Sequence, residues 1–204
     1  MIMTRWGRAI GTAGAALLLA GCASSVDLTA TSPSATSQLL VFRALERAAA
    51  DLDLTRLRGR RVALEVISQL GEEKEPKFAA EYLETWLRTK GVEVGADHPE
   101  LRLHAYLLTL GSDRGQTFVG IPAFQLPVLS IPVPEIALFK WLRSRGRADL
   151  RVYAFDATQR TFVEVLPDTT GRSKFDDFTI LVVAGFTVTD VEEPLPGTPP
   201  RKQP

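Results

Sequence analysis

The sequence predicts an α+β fold in one domain, with a mixed sheet of about five to six strands, two main helices and a short third helix. Three observations carry this. Segments with helical apolar spacing come early, between residues 38 and 91. Alternating apolar segments come late, from residue 101 onward. A strand lies between the two main helices and another follows them, so a strand–helix–strand unit with a parallel pair is expected.

Leu40 to Leu52 places Val41, Leu45, Ala48 and Leu52 at helix-face spacing, with Arg43, Glu46, Arg47 and Asp51 mostly elsewhere. Ser37 is the expected N-cap. Gly59 breaks the chain, and Arg61 to Ile67 reads as a short apolar strand. Pro76 takes an allowed first-turn position in the second helix, whose stripe is Phe78, Ala79, Tyr82, Leu83, Trp86 and Leu87. Gly91 ends that helix, and Val92 to Val94 follows as a strand. Leu101 to Leu110 is the next strand, closed by a turn at Ser112-Asp113-Arg114-Gly115. Arg147 to Asp156 puts Ala148, Leu150, Val152 and Ala154 on one face, turns at Ala157-Thr158-Gln159 and returns through Thr161 to Leu166 as a hairpin. Pro167 to Lys174 reads as a polar loop. Phe178 to Thr189 reads as the last strand, with Gly185 marking a bulge or a close backbone approach.

Phe118 to Phe139 fits none of these patterns. Ile121-Pro122, Leu126-Pro127 and Ile131-Pro132 recur every five residues, Pro134 follows, and no charge appears before Glu135. Proline lacks an amide donor, so the segment is neither a central strand nor a helix interior and is expected to be extended or turn-rich. Pro134 then opens the short third helix, Glu135 to Ser144, apolar nearly all round. Three roles are open to the segment. It covers an edge or face of the sheet. It is an exposed apolar patch for a partner, a second copy or a membrane surface, with contacts at Ile121, Phe124, Leu126, Val128, Leu129, Ile131 and Trp141. Or it walls a ligand pocket with Phe118, Phe124, Leu126 and Trp141.

Composition narrows the function classes. The 204 residues balance 24 basic against 24 acidic side chains, which leaves no electrostatic footprint for nucleic acid. His98 and His104 are the only histidines and lack paired-ligand spacing, so neither a metal site nor a cofactor is expected. Asp156 and Glu164 flank a hairpin and could approach each other, but acid–base work needs one of them buried. Ser173-Lys174 are adjacent in sequence, which does not make a catalytic dyad. Phosphate-loop, nucleophile-elbow and dinucleotide motifs are absent from the sequence, and no enzymatic activity is expected.

The N-terminus has a clear pattern. Arg5 and Arg8 precede the apolar or small run Ala9 to Ala20, and Leu19-Ala20-Gly21-Cys22 holds the single cysteine. This is the layout of an export signal with a small-residue cleavage site, and it resembles the lipobox of bacterial lipoproteins. The resemblance implies removal of residues 1–21, acylation of Cys22 and firm attachment to a membrane. Ala23, where an aspartate would signal retention, implies a periplasm-facing position on the outer membrane. Residues 22–37, rich in Ser, Thr and Ala, read as a flexible tether, residues 38–191 as the folded domain, and the proline-rich 192–204 as a disordered tail.

Ser37-Gln38-Leu39-Leu40, Val119-Gly120-Ile121-Pro122 and Pro134-Glu135-Ile136-Ala137-Leu138-Phe139-Lys140, with the Asp156 hairpin, resemble a family of small bacterial outer-membrane lipoproteins. That likeness transfers no site. The order of elements is also similar, in layout, to periplasmic modules of the curli-secretion lipoprotein, the penicillin-binding-protein activator lipoproteins and the Tol-system propeller protein. Those modules bind proteins, so this likeness implies an adaptor or self-assembling component, with an unknown envelope protein or a second copy as partner. A lipid or apolar-ligand carrier is the alternative, and an envelope hydrolase using Asp156 and Glu164 is a third reading.

Overall fold

Ser34 opens the first helix of the structure, a computed structural model that describes residues 23–27, 34–68, 74–95, 97–126 and 131–191. Helix α1 runs Ala35–Ala50, and the Ser34 hydroxyl accepts the Ser37 amide at 3.2 Å. The cap is thus one turn earlier than expected, and Ser37 is buried in the first turn instead. Leu40, Ala44, Leu45, Ala48 and Ala49 are fully buried along one face. Strand β2 (Arg61–Ser68), helix α2 (Lys74–Thr89) and strand β3 (Glu93–Val94) follow. β2 runs parallel to β3 and to the first part of β4 (Leu101–Ile121), with Val62 opposite both Val94 and Leu101. The parallel pair is therefore present.

The rest of the chain is mostly strand: β1 (Ala23–Asp27), β5 (Phe124–Leu126), β6 (Ile131–Val133), β7 (Ile136–Asp156), β8 (Phe162–Val165), β9 (Thr169–Ile180) and β10 (Ala184–Thr189). The main sheet has the order β10-β9-β7-β4-β2-β3, with β1 on β4 and β8 on β7, and β5–β6 forms a separate two-stranded sheet. The class is α+β with a mixed sheet, and the sheet dominates more than the sequence suggests.

Five expectations are corrected. Phe118 to Ile121 does belong to an interior strand, the end of β4, which lies between β7 and β2 in the sheet order. Glu135 to Ser144 is not a helix; from Ile136 it is the start of β7. Ser112 to Gly115 is not a turn, because Arg114 and Gly115 pair with Asp27 and Val26 of β1. Pro167 to Lys174 is not a loop beyond Asp168, because Thr169 begins β9. Phe178 to Thr189 is not one strand. A turn at residues 181–183 divides it, and Gly185 pairs in regular register with Thr179. Within the expected tether, Ala23–Asp27 is sheet and Ala35 already helix. The hairpin of Arg147 to Leu166 is as expected, β8 pairing antiparallel with β7.

Contacts gather into two compact units. Unit 1 holds β1 and residues Asp113–Ser144 and Phe175–Thr189; unit 2 holds the other described residues. Unit 2 contains both helices and a core in which Leu45, Leu83, Leu107 and Leu150 form one cluster and Leu57, Val62, Leu103 and Val152 another. α1 lies very close to the sheet there. A Cβ at Gly171 would strike the Ala44 carbonyl and the Ala48 amide, and one at Gly146 would strike the Leu40 carbonyl. The buried Ser173 hydroxyl donates to that Leu40 carbonyl at 2.7 Å.

Asp149 adds an acid-sensitive tie within unit 2. Burial alone would raise its carboxyl, but hydrogen bonds from Arg147 (2.7 Å), Thr170 (2.7 Å) and Thr109, with the Arg147 charge, outweigh burial and hold it below the usual carboxylate range. A lowered folded-state value means that its stabilisation is present above the unfolded value of 3.8 and is lost as pH falls through the folded value. Asp149→Asn is expected to remove about 1 kcal/mol at pH 7 and to flatten the acid side of the stability curve. Urea midpoints measured from pH 7 to pH 2 check both.

Candidate functional site

The residues singled out for partner contact cluster in unit 1. Ile121 ends β4 and is 50% exposed. Phe124, Leu126 and Ile131 belong to the β5–β6 pair, Leu126 opposite Ile131 and Phe124 opposite Val133. Pro132 fits there because a two-stranded sheet has only edge strands. Cys22, Val128 and Leu129, the signal segment 1–21 and the tail 192–204 lie outside the described residues.

The end of unit 1 around Ile121 is built by close backbone contacts. Gly120 has φ +155°, and a Cβ there would strike the Ile136 carbonyl, so β4 and the start of β7 touch at this point. The turn between β9 and β10 reaches the same place. The Leu181 amide donates to the Leu138 carbonyl at 2.9 Å, and the Val182 amide to the Ala137 carbonyl at 3.0 Å. Ala23 of β1 pairs with Phe118, three residues from Ile121. Ile136 and Leu138 are exposed, and Glu135 and Lys140 satisfy each other at 2.7 Å.

Trp141 has a different setting. Its ring stacks on Phe178 at 5.5 Å, which stacks on Phe186 at 4.8 Å. The Arg143 guanidinium lies 4.6 Å from the Trp141 ring centre, and the indole N–H donates to Asp176 at 3.0 Å. The sheet itself uses this residue, joining β7 to β9 and β10.

Of the polar candidates of unit 2, His104 and Asp156 line one open pocket of about 330 Å³ with Glu65, Arg102, Phe155 and Arg160. Asp156 accepts the Thr158 and Gln159 amides at 2.9 and 2.7 Å and so shapes its turn. Glu164 pairs with Arg56 at 2.8 Å. The Ser173 hydroxyl is committed to α1, and the Lys174 amide donates to Asp190. His104 packs on Phe155 at 5.0 Å, its Nε2 lying 3.5 Å from Glu65. His98 lies in a bend. No group of three or more metal-ligating side chains occurs among the described residues, and no described helix is long and apolar enough to cross a membrane.

Unit 2 also has an apolar groove of about 680 Å³ between the start of α1 and β4, lined by Leu39, Val41, Phe42, Phe78 and Leu110. Tyr82 packs edge-on against Phe42 at 5.3 Å. Burial, then the Glu46 charge, pushes the Tyr82 hydroxyl up to about 12.

Two of these features escape sequence reasoning. The turn at Leu181-Val182-Val183 lies inside an apolar run with no Gly, Asn, Asp or Pro to mark it. The groove uses Leu39 and Phe42, which lie off the expected helix stripe. Comparison with protein-family models, with curated proteins and with solved structures finds no match.

Proposed function

We propose that the chain is a lipid-anchored, non-enzymatic interaction protein of the cell envelope, held at the outer membrane through an acylated Cys22 and facing the periplasm. Its contact surface is the apolar end of unit 1, formed by Ile121, the β5–β6 pair, Ile136, Leu138 and the β9–β10 turn, with the Glu135–Lys140 ion pair beside it. One observation carries this reading: large apolar side chains at this end are exposed together, and contiguous exposed apolar surface marks a contact site. A second reading, an apolar-ligand carrier, is favoured by the groove beside Phe42 and Phe78.

A photo-crosslinking residue at Phe124 in live cells tests the proposal. An adduct with an envelope protein, a second copy or a lipid is expected, and Phe124→Asp with Leu126→Asp should abolish function while the circular dichroism spectrum stays unchanged. No adduct, with position 124 shielded from solvent labelling, would overturn the proposal in favour of the carrier.

A further inference from the structure

Residues 115–134, 136–139 and 178–189 contain no Asp, Glu, Lys or Arg. The fold brings the ends of all three stretches together: Gly120 against Ile136, and the Leu181 and Val182 amides on the Leu138 and Ala137 carbonyls. The turn is unusual chemically. Leu181 has φ +48° and Val182 φ +66°. Positive φ favours Gly or Asn, and a β-branched residue there is a conformational outlier. Nothing in the described fold compensates by burial, since Leu181, Val182 and Val183 are 64%, 54% and 89% exposed. An exposed, strained, apolar tip points to something outside the chain.

Two further features point to what that is. The exposed side chains here are aliphatic, and a fluid apolar layer accepts such side chains without matched shape. The second is position. Ala23, the residue after Cys22 in sequence, pairs with Phe118, three residues from Ile121. Further along the strands come Trp141 and Arg143, residue types that favour the membrane–water interface.

We infer that the β9–β10 turn, Ile180 to Ala184, inserts with Ile121, Ile136 and Leu138 into the bilayer that holds the chain's own anchor. The inference rests on the reading of this end as a contact surface and assigns it a lipid bilayer rather than a protein. Acyl chains at Cys22 and the inserted tip then act as two attachments, and the strands of unit 1 rise from the membrane in a defined orientation.

The test uses residues 23–204, which include every described element and lack both the leader and the acylated cysteine. Vesicles of phosphatidylethanolamine and phosphatidylglycerol are the probe. The chain is expected to co-sediment with them. Leu181→Asn with Val182→Gly is expected to weaken partitioning roughly tenfold or more, with an unchanged or raised melting temperature, because Asn and Gly suit positive φ. Val183→Cys, then the only thiol, carries an environment-sensitive fluorophore whose emission should shift to the blue with vesicles, a readout that survives if the double variant folds poorly. Emission and sedimentation indifferent to vesicles would overturn the inference, and so would self-association that buries the fluorophore without lipid. If vesicles have no effect but Phe124 still crosslinks to an envelope protein, the contact-surface reading stands and this inference alone fails.

Discussion

Gly171→Ala is expected to lower stability by about 3 kcal/mol. The added methyl group would overlap backbone atoms of α1, the Ala44 carbonyl and the Ala48 amide nitrogen, and backbone cannot rotate away as a side-chain end does. Relief requires α1 to lift from β9, which would loosen Leu40, Ala44, Leu45 and Ala48, all fully buried. Gly146→Ala should act in the same direction through Leu40 and Ser173. Gly111→Ala is the control: nothing lies within 4 Å of its Cβ position, and the change should stay within about 0.5 kcal/mol. Urea denaturation followed by circular dichroism reads all three. Equal midpoints for Gly111→Ala and Gly171→Ala would mean that α1 is not seated on these glycines.

This close seating explains why β9 is illegible in the sequence. Thr169, Gly171 and Ser173 alternate toward the interior, yet none is a large apolar residue, and at Gly171 and Ser173 the helix backbone occupies the space that a larger side chain would need. A pattern search for alternating hydrophobicity reads Pro167 to Lys174 as polar loop. Where helices meet the sheet through side chains, the sequence is transparent. Of the α2 stripe, Ala79, Leu83 and Leu87 are buried as the spacing predicts, Tyr82 and Trp86 are half-buried and Phe78 is exposed, while Ala148, Leu150, Val152 and Ala154 alternate inward along β7.

The site was legible in composition and illegible in conformation. A stretch with no charge and recurring proline stands out from Phe118 to Pro134, and its described residues include the end of β4, β5 and β6. Glu135 to Ser144 reads as helix in the sequence because a short, mostly apolar run has no period that separates helix from strand. Ser112 to Gly115 was misread as a turn because its residue types favour turns, whereas pairing with β1 keeps it in the sheet. That pairing is non-local, and local propensity does not encode it. The strained Leu181-Val182 turn goes against propensity altogether. Such departures are expected where function, rather than folding, selects the residues.

Trp141 separates the two kinds of constraint. Trp141→Ala is expected to cost about 3 kcal/mol, and Trp141→Phe about 1 kcal/mol. Alanine removes the first ring of a series that runs through Phe178 to Phe186, and it takes away the donor to Asp176, which is only 7% exposed. Phenylalanine keeps the stack and loses the donor alone. The Arg143 guanidinium, 4.6 Å from the indole centre, would lose its aromatic partner in the first variant and keep a weaker one in the second. Chemical denaturation distinguishes the cases. A large loss with alanine and a small one with phenylalanine would assign Trp141 to the framework of unit 1, so its truncation could not report on binding. Equal stability of all three proteins would return Trp141 to the contact surface and shift that surface from the end of unit 1 toward the face of β7.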